Sequence, residues 1–476
     1  MRGMFLFRRR FRRRQEDVPA RSRAVFRGSV LCPRCGIKHR EGVLGFMKKT
    51  LALALILTLS APAFGLGEAR AEGFSITQWS ARGMALGNGM VGRADDPSAV
   101  AYNPAGITQL PGTRLMLGTV IERPSSRISG EWTTLNPFTG GSSSAYSSTS
   151  IEQKTWVIPH FYMTHQMNDR AWLGVGVFSR SGLGNGYPDS WPGSSALVNV
   201  RLQTLTINPN IAFKVTDRLS LAIGAEVTGA DMELNLHSRL KPFKPIDSHG
   251  TLKGRGYALS GNLALHYLIN EQWRVGFTYR SRMDLKVTGT NRWSQSVPST
   301  VMQDSSLHGT IHLPDQFALG VNYQPNEKWN FEAGVTYFVW SAYKRLDIHL
   351  EGPNNDLLTD GAKQWHDYWG FNVSAEYRPL DWLALRLGYI YETSPLNEGH
   401  ADFIAPTNGR QYFTGGVGFM WDKWALDLGY AYIKVRDVTY RDMGVLSSGG
   451  MELVRFNGRS HRSHAHSMGA SLSYTF

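Results

Sequence analysis

Two groups of residues have the types and spacing that hold metal ions. Cys32 and Cys35 form a Cys-Pro-Arg-Cys sequence, which matches half of a four-ligand zinc site, but the chain has only two cysteines. His461, His464 and His466 have a similar spacing, and we place them in the last external loop and the start of the final strand. A solvated loop explains these histidines without a metal. The sequence therefore predicts no metal and no cofactor.

A hydrolase such as a lipase is a second kind of chemistry to consider. It would need a nucleophile, a base and a group that orients the base. The sequence contains no Gly-x-Ser-x-Gly motif, which would mark a nucleophile elbow. We therefore do not expect an enzyme, and we assign no catalytic residue.

The positive charge of the chain is concentrated at its beginning. Residues 1–46 contain 13 Lys or Arg and 3 acidic residues, a net of 13 − 3 = +10. Residues 47–71 add 3 − 1 = +2, so the remainder of the +13 total is 13 − 10 − 2 = +1. A basic nucleic-acid surface is therefore not predicted for the main body.

Residues 47–71 read as a secretory signal peptide. Met47 to Lys49 form a basic start, Thr50 to Ala63 an apolar run, and Ala69 to Ala71 a small-x-small cleavage site. The apolar run is too short to span a bilayer, for which about 20 residues are needed. We expect a mature chain beginning near Glu72. Residues 1–46 are then a mis-assigned start or an extra extension.

Residues 72–112 are predicted to form a plug, which we call the hatch. The stretch from Gly73 to Pro111 is rich in glycine and proline, so no long helix or strand fits it. A compact coil with one short helix, from about Asp96 to Tyr102, would be stable if other elements surrounded it and satisfied its backbone groups.

Residues 113–476 alternate repeatedly between apolar and polar side chains, the pattern of strands with unlike faces. Such segments number fourteen, the even number that antiparallel closure requires. We predict strands at about 113–123, 153–166, 170–182, 198–215, 218–235, 252–267, 272–288, 308–323, 329–349, 366–377, 382–393, 411–421, 424–438 and 463–476.

The connections between these segments alternate between short turns and long loops. The long ones are about 124–152, 183–197, 236–251, 289–307, 350–365, 394–410 and 439–462. Short turns on one side and long loops on the other are typical of outer-membrane barrels. The predicted fold is therefore all-β, a transmembrane antiparallel barrel of about 14 strands whose lumen is plugged by the hatch.

Aromatic residues at strand ends distinguish this barrel from a soluble sandwich. Eight tryptophans fall at predicted strand ends, where an aromatic belt would lie, and the chain ends in Phe476. They are Trp156, Trp172, Trp273, Trp329, Trp369, Trp382, Trp421 and Trp424. We expect a monomer in the outer membrane of a Gram-negative bacterium, surrounded by outer-membrane lipid.

The chain resembles the FadL/TodX family of outer-membrane transporters for hydrophobic compounds. The stretch from Ala94 to Ile107 carries the motif of that family, Asn103-Pro104-Ala105, and further matches occur along the mature chain. They include Ser181-Gly182-Leu183, Thr278 to Ser281, Leu313-Pro314, Trp340-Ser341 and Ser394-Pro395. The resemblance implies a fourteen-stranded barrel, capture of an apolar ligand outside, an interior pocket, and lateral exit beside a kinked third strand.

The resemblance also suggests residues of the path. Gly182 matches the kink and would bend the third strand, although a turn that ends the strand is the alternative. Arg180 should face the lumen and could bind a ligand carboxylate, but an internal salt bridge to Asp95 or Asp96 is at least as plausible.

Other candidate residues match the family less closely. Arg239 and Lys344 are slightly displaced from the basic positions of the family, and strand parity places Lys344 inside and Arg345 outside. Phe74 is a candidate pocket residue, with simple hatch packing as the alternative. Asn103, Pro104 and Ala105 would form a turn that fixes the hatch and whose movement could open the passage, with structural support alone as the alternative.

The sequence thus predicts a channel for passive uptake of long-chain fatty acids or other hydrophobic molecules. Because the basic residues match poorly, an importer of aromatic hydrocarbons or alkanes is an alternative. A surface receptor or adhesin without transport is another, and it would depend on the external loops instead of the hatch.

Overall fold

The computed structural model describes residues 75–136, 139–240, 246–295, 303–351, 362–448 and 451–476. Residues 1–46, the predicted signal peptide 47–71 and Phe74 lie outside the described residues. So do Cys32 and Cys35.

One antiparallel sheet of twenty strands, numbered in chain order, dominates the described part of the chain. Their bounds are β1 Thr113–Leu135, β2 Ser142–Ser150, β3 Trp156–Asn168, β4 Ala171–Phe178, β5 Gly182–Gly186, β6 Asn199–Lys214, β7 Leu219–Leu240, β8 Ile246–Leu268, β9 Trp273–Arg280, β10 Met283–Trp293, β11 Ser305–Leu313, β12 Gln316–Tyr323, β13 Trp329–Phe338, β14 Asp347–Leu350, β15 Tyr368–Leu380, β16 Leu383–Glu392, β17 Arg410–Trp421, β18 Trp424–Val435, β19 Val438–Ser448 and β20 Met451–Thr475.

These strands make a closed barrel with fourteen wall positions among the described residues. Six wall positions consist of two consecutive strands separated by a short interruption: β2/β3, β4/β5, β9/β10, β11/β12, β13/β14 and β18/β19. Closure is made by β20, which pairs with β1 along both strands. The prediction of a plugged fourteen-stranded barrel is confirmed in its strand count and closure.

The apolar faces of the strands point outward. On β7, Leu221, Ile223 and Val227 are exposed, whereas Glu226 and Thr228 on the opposite face are fully buried. A soluble sandwich would bury the apolar face instead. An outward apolar face with a polar interior is the arrangement of a membrane barrel.

Six of the eight tryptophans assigned to the belt are exposed, but the prediction is wrong for the other two. Trp156 and Trp172 are buried. Trp172 has the strand parity of Gly174 and Gly176, so it points inward, where its Nε1 donates to the carbonyl oxygen of Leu110 at 2.9 Å. Position at a strand end therefore did not decide the face.

The predicted long loops are in large part strands. β1 and β2 form a hairpin within 124–152, β7 and β8 extend into 236–251, and β19 with the first half of β20 occupies most of 439–462. Some of these extensions, such as the serine-rich and largely exposed β2, lack apolar alternation, so periodicity did not detect them.

The hatch contains more helix than expected. Helix α2 (Ala99–Tyr102) lies within the predicted segment, but α1 (Ala81–Ala85) and a 3₁₀ helix (Pro104–Gln109) were missed. Ser80 caps α1 by accepting from the Gly83 N–H at 3.0 Å. None of the helices in the described ranges is long and apolar enough to cross a membrane.

Candidate functional site

One side of the hatch is anchored to the barrel wall by buried ion pairs. Arg82 of α1 donates from Nε to Glu376 of β15 at 3.1 Å, and from Nη1 to Asp95 at 2.6 Å and to Asp96 at 3.1 Å. Arg386 of β16 also donates to Glu376, at 2.8 Å. A single wall carboxylate therefore joins the hatch to two neighbouring strands.

The carboxylates around Arg82 stabilise its charged form. Burial by itself lowers the pKa of Arg82, but the carboxylates of Asp95, Glu376 and Asp96 outweigh burial and raise the pKa well above its usual value. Burial raises the pKa of Asp96, and the Arg82 charge opposes that rise. The guanidinium of Arg82 thus offsets the cost of burying the acidic groups around it.

A second anchor uses the backbone of the hatch. Glu332 of β13 accepts the N–H groups of Val91, Gly92 and Arg93, at 2.8, 3.0 and 2.7 Å. Gly92 approaches the wall so closely that an added Cβ would lie 2.8 Å from the carbonyl oxygen of Gly320. A residue with a side chain would not fit at Gly92. The carboxylate of Glu332 accepts the three backbone N–H groups that a neighbouring strand would otherwise pair with.

The Asn-Pro-Ala motif fixes the hatch, as far as its contacts show. The Asn103 side chain donates to the carbonyl oxygens of Val91, at 2.8 Å, and of Leu265 in the wall, at 3.0 Å, and accepts from the N–H of Ala105 at 3.1 Å. Pro104 begins the 3₁₀ helix. The motif links two hatch segments and one strand, and its role as a gate stays a prediction.

The third wall strand is interrupted immediately before Gly182. β4 ends at Phe178, three residues leave the sheet, and β5 begins at Gly182. The three residues between β4 and β5 contact the hatch in place of β3. The Ile76 N–H donates to the Arg180 carbonyl oxygen at 2.8 Å, and Ser75 forms an isolated antiparallel β-bridge with Ser181. The strand ends earlier than predicted, and the interruption lies beside the predicted kink.

This interruption leaves a gap in the barrel wall. β3 pairs with β4 only from Phe161 onward, and β5 pairs with β6 alone. Residues 156–160 of β3 therefore have β1 on one side and no strand partner on the other within the described chain. Pro159, which has no N–H to donate, lies in this stretch. A bond from Glu152 N to Gly186 O, 2.9 Å, bounds the gap at its far end.

Arg180 points into the barrel as predicted, but its predicted partner is wrong. Its Nη1 contacts Glu226 of β7 instead of Asp95 or Asp96, both of which pair with Arg82. Parity identifies the face of a strand but not which carboxylate lies opposite, so the sequence could not choose between the acidic residues.

Arg280 of β9 completes this group and was missed. It contacts Glu226 and the carbonyl oxygen of Ala101 in α2, and lies 5.3 Å from the Trp79 ring centroid and 5.4 Å from that of Phe178. It occurs in the sequence Thr278 to Ser281, which had suggested the family without a role for the arginine. Arg280 therefore holds the hatch beside the interrupted strand.

The sequence also pointed to the basic residues Lys344 and Arg239. Lys344 is exposed, not inside, because a 3₁₀ helix (Trp340–Ala342) interrupts the strand and resets its parity. Arg345 is exposed, as predicted. The backbone of Arg239 pairs with Asp247 in the extension of β7.

Lys363 is a buried cation that the sequence did not indicate. It precedes β15, and its Nζ contacts the carboxylate of Asp402. Two residues later, Trp365 packs edge-on against Trp340 and Tyr343, with ring centroids 5.0 and 5.1 Å apart. Strand periodicity gives no information about the connections between strands, so the sequence did not predict this contact.

Two of the cavities in the described part of the chain lie inside the barrel, and both are small. The first has a volume of about 40 Å³, and its lining includes Leu183, Glu122 and Arg410. The second, about 30 Å³, lies beside the hatch, and its lining includes Trp79 and Arg280. The first borders the strand that bounds the wall gap, and the second borders the hatch.

An aromatic cluster fills the end of the barrel where the long connections lie. Trp132 packs at 4.5 Å from Phe456, 5.6 Å from Trp191 and 5.8 Å from Phe403, measured between ring centroids. All four side chains are buried. The cluster gives this end an apolar interior that could bind an apolar molecule.

The three histidines near the C-terminus lie within β20, not in a solvated loop. His461 contacts Ser129 Oγ at 2.8 Å, and His466 contacts the Tyr430 hydroxyl at 2.8 Å. His464 contacts the carbonyl oxygen of Arg462 at 2.9 Å. Each ring has a different partner, so the three do not share a common centre.

A closed fourteen-stranded barrel with a plugged lumen and an outward apolar face defines an outer-membrane β-barrel protein. The family described as outer membrane protein transport protein (OMPP1/FadL/TodX) matches residues 63–476. The chain belongs to this family.

Individual relatives are consistent with membership of this family. The chain is 24% identical over 473 residues to outer membrane protein P1 of Haemophilus influenzae, covering 90% of this chain and 99% of that protein. It is 21% identical over 434 residues to the long-chain fatty acid transport protein of Escherichia coli, covering 83% and 93%.

Solved structures share the fold. A Pseudomonas aeruginosa FadL homologue has a TM-score of 0.73 at 17% identity, covering 85% of this chain and 100% of that one. The Pseudomonas putida toluene transporter TodX has a TM-score of 0.64 at 16% identity, covering 84% and 98%.

Proposed function

We propose that this protein is a passive channel that takes hydrophobic molecules through the outer membrane and releases them sideways at the third wall strand. The observation that carries the proposal is the wall gap between β3 and β5. The segment that leaves the sheet there contacts the hatch at Ser75 and Ile76. A movement of the hatch could therefore change the width of the gap.

Lateral release is the physically favourable route for such ligands. Transfer of an acyl chain from water into apolar surroundings is favourable by about 0.8 kcal/mol per CH₂. The aromatic cluster, defined by Trp132, Trp191, Phe403 and Phe456, would receive the ligand at the far end. The two cavities would lie on its path inside, and the gap would release it into lipid without passage through water.

The processing of the chain is part of the same proposal. Residues 47–71 would direct export and be removed near Glu72, which leaves residues 72–112 as the hatch. Phe74 would then stand near the mature N-terminus and contribute to the interior pocket. We propose that the protein acts as a monomer in outer-membrane lipid.

The internal ion pairs favour a ligand whose binding does not depend on a carboxylate. Arg180 and Arg280 share Glu226, Arg82 and Arg386 share Glu376, and Lys363 contacts Asp402. A ligand carboxylate would have to displace one of these groups, at a cost in free energy.

Arg410 is a further basic residue that the sequence did not indicate. It lines the first cavity, where its Nη2 donates to Thr407 Oγ1 at 2.8 Å. Because it lies at a cavity, Arg410 is the basic residue to vary if the ligand is a fatty acid.

The test is uptake of labelled oleate and labelled toluene by cells without their own channel for hydrophobic compounds, with and without this chain. We expect uptake of at least one compound to increase several-fold. Oleate uptake that is lost with Arg410→Ala would assign the carboxylate to Arg410, and toluene uptake alone would assign an uncharged substrate. Absence of both increases would contradict the channel.

A receptor or adhesin is tested by deletion of residues 75–110 with the external connections intact. A channel should then lose controlled uptake, whereas a receptor or adhesin should bind its partner as before. Unchanged binding together with unchanged hydrophobic uptake would mean that the hatch has no transport role.

A further inference from the structure

Three metal-ligating side chains converge at the connection that follows β5. Asp189 lies in the connection after β5, His237 on β7 and His249 on β8. One ligand atom from each lies within 4.8 Å of the other two. No other group of three His, Cys, Asp or Glu in the described part of the chain meets this criterion.

The two histidines are held side by side by the sheet. His237 and His249 are directly opposite residues of the β7–β8 ladder, and their rings stack with centroids 3.9 Å apart. His237 is buried, and its Nε2 contacts the carboxylate of Asp247. A carboxylate on one imidazole nitrogen orients the ring, as it does for metal-binding histidines.

We propose that Asp189, His237 and His249 bind a zinc ion, with water as the fourth ligand. Two imidazoles and one carboxylate are a ligand set that suits zinc, whereas calcium and magnesium prefer oxygen ligands alone. A tetrahedral ion with bonds of about 2.0–2.1 Å brings its ligand atoms to roughly 3.4 Å from one another. Asp189 and His249 are both exposed, so small side-chain rotations bring them to that distance.

The site joins the connection after β5 to the far ends of β7 and β8. The connection that carries Asp189 follows β5, which borders the wall gap, and it contacts β7 through the His237 N–H and the Ser194 carbonyl oxygen at 2.9 Å. A bound ion would fix this connection to the far end of β7 and β8. Zinc would thus protect the connection from proteolysis.

The experiment is a zinc titration of the full chain folded in detergent, with no polyhistidine tag and with Cys32→Ser and Cys35→Ser to remove the two thiols. We expect one zinc per chain with a micromolar or lower Kd by calorimetry, and slower proteolysis within residues 187–198 when zinc is present. Magnesium at the same concentration should give neither effect.

Two substitutions at exposed positions test the ligands without disturbing the core. His249→Ala and the nearly isosteric Asp189→Asn should each weaken zinc binding at least tenfold and remove the protection. The matched control is His349→Ala, since His308 and His349 also stack across two strands, 5.3 Å apart. Zinc affinity that is equal in the original chain, in His249→Ala and in Asp189→Asn would overturn the proposal, as would no binding at all.

Discussion

The hatch is held very differently on its two sides. Toward β13–β18 it is anchored by buried charges: Arg82 on Glu376, and Glu332 on three consecutive N–H groups. Toward the interrupted third strand its contacts are hydrogen bonds that involve carbonyl oxygens. Ile76 N donates to Arg180 O at 2.8 Å, Trp79 Nε1 donates to Ser179 O at 3.0 Å, and Arg280 donates to Ala101 O.

This difference indicates where the hatch can move. Breaking a buried ion pair costs several kcal/mol, whereas a neutral hydrogen bond contributes about 1 kcal/mol. The weak contacts are also the ones beside the wall gap. We therefore expect the charged side to act as a fixed support and the third-strand side to open. Each of the following predictions changes one side and leaves the other intact.

The largest effect is expected for Glu376→Gln on the charged side. The substitution leaves the buried guanidinium groups of Arg82 and Arg386 without their shared carboxylate, so it should lower the free energy of unfolding by about 3–5 kcal/mol. Urea unfolding of the barrel measures the change. Glu271→Gln, in an exposed turn, is the control, and equal midpoints for the two variants would refute the anchor.

A smaller loss is expected for Glu332→Gln. The amide group would face N–H donors in place of one carboxylate oxygen, which should lower the free energy of unfolding by about 1–3 kcal/mol. Glu327→Gln, exposed in the turn before β13, should have no effect in the same urea experiment. A stability equal to that of the control would mean that the three N–H bonds are not significant.

Gly182→Val tests the gap itself. A β-branched side chain at the start of β5 should hinder opening and reduce uptake of hydrophobic substrate about tenfold, while binding at the cell surface is retained. The control is Gly229→Val in β7, where an added Cβ has no neighbour within 4 Å. Uptake at the original rate in Gly182→Val would show that release does not occur at this strand.

The smallest effect is expected for Trp79→Phe. It removes the bond to the Ser179 carbonyl oxygen but keeps an aromatic ring beside Arg280, so about 1 kcal/mol should be lost. Hydrogen exchange of the Ile76 amide should become roughly fivefold faster, while exchange of the Val91 amide on the charged side is unchanged. Equal acceleration at both amides would mean that the two sides do not move separately.

Strand periodicity predicted the barrel because every wall strand must present apolar residues to lipid and polar residues to the interior. The same rule placed Arg180 inside, since parity is maintained along a continuous strand. It failed at Lys344, where a 3₁₀ helix interrupts the strand. It also could not reveal that Trp172 fills space beside the hatch.

The ion pairs could not be predicted from the sequence, for a different reason. Glu226, Glu332 and Glu376 were visible as polar residues on strand faces, but their partners lie on other strands or on the hatch. Which carboxylate contacts which guanidinium depends on how the hatch is rotated inside the barrel, and no local pattern encodes that rotation. The choice of Asp95 or Asp96 for Arg180 was wrong on this account.

The contact between the Ala81 N–H and Ser471 Oγ, 2.9 Å long, joins residues 390 positions apart. A bond of this kind can form only after almost the entire chain has been synthesised and exported. Together with closure by β1 and β20, it gives the protein a high contact order, for which slow folding is expected. Until its last strand arrives, the chain exposes unpaired strand edges, so we expect it to need chaperones on its way to the membrane.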